Sequence, residues 1–141
     1  MAGGVILLII AKHAMLLTAF TALVGIDLFA KFIALSYEML KARGEENPSF
    51  VEAIKAIPEA HRQRIINSHE MKTPFLRKIL MYIFAVITAG LADFMIGYAN
   101  FEPIVIAYLA STELLSIIEN LDDAGVSAVH DLVGLIKRKR A

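Results

Sequence analysis

Residues 103–125 read PIVIAYLASTELLSIIENLDDAG, and how this stretch is wound decides the fold. Pro103–Leu121 is apolar enough to cross a bilayer as a helix, which takes ~20 mostly apolar residues. Yet it carries Thr112, Glu113, Ser116, Glu119 and Asn120. Turned at ~100° per residue, these five and Tyr108 fall on one arc, and Ile106, Leu114, Ile117, Ile118 and Leu121 on the other. Ionisable groups at membrane depth are costly and normally face a bundle interior or an aqueous cavity. The stretch therefore reads as a spanning helix whose polar face lines a pore or a seam between subunits. The competing reading is that the helix leaves the membrane near Glu113, with the rest lying in the interface.

The whole chain agrees with a membrane setting. It has 141 residues, of which 57% are hydrophobic, and a mean hydropathy of +0.63. Soluble domains sit near ~45–50% apolar. The formal net charge of zero argues against a general nucleic-acid binder, and the lack of Cys excludes disulfides and thiolate metal sites. MAGGVILLII lacks a basic leading segment, so a cleaved signal peptide is not expected. The expectation is one all-α membrane domain over 1–141, with three transmembrane helices and an amphipathic helical insert.

Two further regions are apolar enough to span. The first lies within Val5–Leu40 and is too long for one crossing; the bilayer could hold Val5–Ile26 or Ala14–Leu35. Residues 14–35 are preferred, because Lys12 then lies near a surface and Asp27 can pair with Lys31 four residues on. The second region is 75–99. Here Ala85, Ala89, Asp93 and Gly97 recur at every fourth position, a spacing of small residues that lets helix backbones approach closely in lipid.

Residues 41–73 differ in kind: they are charged and hold two of the four prolines. NPSF suggests Asn47 as N-cap and Pro48 as first helical residue. Phe50, Val51, Ile54 and Ile57 follow at helical spacing, and Pro58 starts a second short helix. This insert reads as amphipathic helices on the membrane surface or against a neighbour, or equally as a solvated hairpin. Thr73–Pro74 and Pro103 are the expected starts of the second and third spans. Lys and Arg cluster in the insert and in the tail, residues 126–141, and the short NFE connection has none. The positive-inside rule then puts the N-terminus outside, and the insert and tail in the cytoplasm.

STELLSIIENLDDAGV resembles the third motif of the phage-lysis and toxin-secretion holin family: an acid, Leu-Ser, an aliphatic pair and Glu-Asn before a Gly. Here these are Glu113, Leu115, Ser116, Glu119, Asn120 and Gly125. ALVGIDLFAKFIAL is similar to the first motif, with its intramembrane Asp at Asp27, and MKTPFLRKILMYIFAVI to the second, with its basic pair before a span. The chain departs from the family pattern at Lys31, where Gly is common, and in GVSAV, where Pro often follows the Gly. The resemblance implies a homo-oligomer in the bacterial inner membrane that opens it, so that an endolysin or a toxin crosses. The residues expected to carry this are Asp27, Lys31, Thr112, Glu113, Ser116, Glu119 and Asn120 as a polar seam, and Ala85, Ala89, Asp93 and Gly97 as a packing stripe.

No P-loop, dinucleotide fingerprint, HExxH or nucleophile elbow occurs. No enzyme activity, cofactor or metal is expected. His61, His69 and His130 read as surface residues, and KRKR at 137–140 as a topology anchor near anionic lipid rather than a nucleic-acid site. The rival functions are a non-lytic membrane scaffold and a small ion channel.

Overall fold

Asp27 of the first long helix meets Lys78 of the second and Asn120 of the third, and this junction orders the bundle. A computed structural model describes residues 2–140. It contains α1 (Ala2–Ala42), α2 (Phe50–Lys55), α3 (Ile57–Arg62), α4 (Ser68–Ile96), α5 (Phe101–Asp123) and α6 (Ser127–Arg140). The described residues include no strand. Three helices are long and apolar enough to cross a membrane: Ala11–Ala42 within α1, all of α4, and all of α5.

Contacts along α1 fix the topology. Lys12, Asp27 and Tyr37 meet Glu102, Asn120 and Gly125 in that order, so α1 and α5 run parallel. Phe20 packs on Tyr82, Asp27 meets Lys78, and Leu35 lies in a cluster with Met71, so α4 is antiparallel to both. The three-helix core is Phe20, Val24, Tyr82 and Val86, closed by Val105, Ile106 and Leu109 of α5.

α1 continues through Lys12 without a break. At ~1.5 Å per residue its 41 residues reach about 60 Å, twice the ~30 Å hydrocarbon thickness. Its exposed large apolar side chains stop at Phe29. Beyond that point Ile33, Ala34, Met39 and Leu40 are buried in clusters with Ala53, Ile57 and Ala60 of α2 and α3. The insert thus supplies to the last turns of α1 the apolar cover that lipid would otherwise give. Ile54 and Ile57 face inward as the periodicity suggests, whereas Phe50 and Val51 are exposed.

Three helix starts differ from the sequence expectation. α2 is capped by Ser49, not Asn47. The Ser49 hydroxyl accepts the Glu52 N–H, and the Glu52 carboxylate accepts the Ser49 N–H at 2.7 Å. This reciprocal box satisfies two donors at once, which Asn47 followed by proline does not. It also holds the Glu52 carboxyl below its ordinary pKa, chiefly through the Ser49 backbone N–H. α4 begins at Ser68, with Asn67 accepting the His69 N–H, so Pro74 lies inside the helix and Thr73 is no cap. α5 starts two residues before Pro103, which still falls in the first turn, where backbone N–H groups have no intrahelical partner to lose.

Candidate polar seam

Five polar side chains from three helices converge beside the Phe20–Val86 core. Lys78 Nζ of α4 donates to Asp27 Oδ2 of α1 at 2.8 Å and lies 2.9 Å from Glu113 Oε1 of α5. The Tyr82 hydroxyl donates to the same Glu113 oxygen. Asn120 Nδ2 donates to Asp27 Oδ1 at 2.9 Å. Glu113 is completely buried and Asp27 is 9% exposed. Two carboxylates thus share one ammonium, and each takes a second, neutral donor. Burying a carboxylate is tolerated only with such pairing. The helical period delivers the donors: Lys78 and Tyr82 stand one turn apart on the inner face of α4.

The ion pair expected between Asp27 and Lys31 is not formed. Asp27 points across to α4 and α5, where donors on two neighbouring helices reach both of its oxygens; Lys31 is exposed. A cavity of about 380 Å³ lies alongside, lined by Asp27, Lys31, Lys78, Ser116 and Asn120 together with Glu70. Asp27, Glu113, Ser116 and Asn120 are therefore brought to one place, with Lys31 at its border. Glu119 is half-buried. Thr112 is exposed and returns its hydroxyl to the Tyr108 carbonyl at 3.0 Å.

The second-span stripe is spread over different settings. Ala89 is buried, Ala85 half-buried, and Gly97 lies past the end of α4 with φ +79°, ending the helix. Asp93 accepts the backbone N–H of Phe101 at 2.7 Å and of Glu102 at 2.9 Å. It so caps α5 in place of Asn100, whose side chain makes no capping bond. Asp93→Ala should cost about 1–2 kcal/mol, the upper part of the range for a lost cap, because two donors are orphaned together. Asp93→Asn should recover part of it in thermal unfolding of the detergent-solubilised protein. An unchanged midpoint for the alanine variant would contradict the capping role.

Sequence reasoning passed over Lys78 and Tyr82. Lys78 stands there only within the basic pair of MKTPFLRKILMYIFAVI, and Tyr82 in the span that follows it. Their signal was the four-residue spacing of a cation and a phenol inside a spanning segment.

Buried acids held by a lysine between three long apolar helices make a membrane bundle a coherent setting for this chain. No curated protein and no solved structure matches it. Residues 4–139, nearly the full length, match the model of the bacteriophage holin family. The chain is a multi-pass membrane protein that belongs to the bacteriophage holin family.

Proposed function

We propose that this chain self-associates in the bacterial inner membrane and permeabilises it, letting an endolysin or a toxin cross, with the Asp27–Lys78–Glu113–Asn120 cluster as the seam that opens. The carrying observation is that Glu113 is completely buried and fully occupied by partners from its own chain. Facing lipid, such a group would cost several kcal/mol, so in isolation α5 is held in its present rotation. Neighbouring copies that enclose water offer an alternative partner. The closed cluster and the open lumen then become competing ways to satisfy the same groups.

Depth supports an inner-edge position for the seam. Among the described side chains, exposed large apolar residues run from Leu7 to Phe29 on α1 and from Leu76 to Ile96 on α4. The α4 band is about 30 Å long at ~1.5 Å per residue, matching the ~30 Å hydrocarbon thickness. A boundary near Phe29 and Leu76, where exposed apolar residues give out toward the insert, would leave Asp27 and Lys78 within about a turn of it. Lys12 falls inside the band; its long stem can carry the ammonium toward the surface, and it lies 3.4 Å from Glu102. With Lys and Arg concentrated in the insert and tail, the N-terminus is outside and both of those are cytoplasmic.

Induction in cells should leave the membrane potential intact for a delay and then collapse it, with release of a co-expressed cytoplasmic enzyme. Glu113→Leu, matched for membrane-fraction abundance, should abolish the collapse, because the opened face loses its water-seeking group. A potential that stays normal throughout induction of the wild type would remove the proposal.

A further inference from the structure

α6 divides its apolar side in two. Val133 is buried at 3% exposure and Val129 is half-buried, whereas Leu132 and Leu135, on the adjoining edge, are 43% and 59% exposed. At ~100° per residue, Leu132, Leu135 and Ile136 share one side and His130 and Gly134 the other. His130 Nδ1 lies 2.8 Å from Asp122 Oδ1, which ties the first turn of α6 to the end of α5. Gly134 faces open space. Residues 132–141 include no acid, and Lys137, Arg138, Lys139 and Arg140 are consecutive.

We propose that α6 rests on the anionic headgroups of the adjacent leaflet, with Leu132 and Leu135 at the acyl boundary and Lys137, Arg138 and Lys139 on lipid phosphates. Charge complementarity selects this occupant: a narrow apolar edge beside consecutive cations suits an anionic bilayer surface. Position agrees, since α6 begins four residues after the end of a helix apolar and long enough to cross. The inference requires only that the chain sits in a bilayer, and is independent of whether it opens one.

The chain has no Trp, so Leu135→Trp gives a single reporter in the full-length protein. Reconstituted in phosphatidylglycerol vesicles, its emission should shift to the blue, and brominated acyl chains should quench it several-fold more than in phosphatidylcholine. Salt at ~1 M, where the screening length falls to ~3 Å, should reverse much of the difference. Adding Lys137→Glu and Lys139→Glu should do the same. Gly134→Trp, on the opposite side, should stay water-exposed in both lipids. Equal quenching of the Leu135→Trp reporter in both lipids would overturn the proposal. So would a blue shift that ignores salt and follows protein density, since the edge would then be covered by a second copy.

Discussion

Lys78→Met is expected to destabilise the protein by about 3 kcal/mol, at the low end of the range for removing one partner from a buried ion pair. The low end applies because the Lys78 side chain is itself 37% exposed, although the Glu113 it serves is fully buried. Methionine keeps the length and apolar stem but leaves Asp27 and Glu113 in one cluster with no cation between them. Arg77→Met is the matched control. Arg77 is the adjacent base but is exposed, ~100° around α4 from Lys78, and surface changes of this kind stay within about 0.5 kcal/mol. Glu113→Gln should fall between the two, near 1 kcal/mol, the net worth of a typical hydrogen bond. It removes a charge yet still offers an oxygen to Tyr82 and leaves the Asp27–Lys78 pair intact. Denaturant titration of the detergent-solubilised variants orders the three. If Lys78→Met unfolds no more easily than Arg77→Met, the lysine is not the keystone of the cluster.

That ordering also explains what could and could not be read before the fold was known. The three long helices follow from apolar length alone, because a segment that must satisfy its backbone within lipid has few options. Asp27, Glu113 and Asn120 announced themselves as polar groups in apolar runs. Lys78 did not, because a base next to Arg77 at the start of a span has a sufficient explanation in topology. The Asp27–Lys31 pairing was argued from spacing within one helix, and spacing within a helix is blind to a donor offered by its neighbour. Asp93 carries the same lesson: four-residue recurrence placed it in a packing stripe, but its capping role depends on how the 97–100 turn returns the chain. The register of helix starts was the least legible part, since Ser49 and Asn67 compete with proline-containing alternatives only a few residues away.

Gly125→Ala should loosen the C-terminal end of α5 and bring the proposed membrane collapse forward in time. Gly125 has φ +76°, and a β-carbon built there would lie 2.6 Å from the Tyr37 ring. The left-handed backbone costs an L-residue about 1–2 kcal/mol. The contact adds to this, because Tyr37 packs with Ile33, Ala34 and Ala53 and its ring faces the Lys41 ammonium at 5.7 Å. The turn that Gly125 makes joins α5 to α6 while Ala124 is buried against the α1–α2 platform. Straining it weakens the clamp that holds α5, and with it Glu113, in the closed rotation. Because the proposed opening needs α5 to turn out of that rotation, a destabilised clamp favours the open side of the balance. Tyr37→Leu combined with Gly125→Ala should restore only part of the delay, since it relieves the contact but leaves the backbone strained. Onset timed by a potential-sensitive dye distinguishes the cases. A delay that lengthens in Gly125→Ala, at equal abundance in the membrane fraction, would mean that docking of the α5–α6 turn promotes opening rather than restraining it.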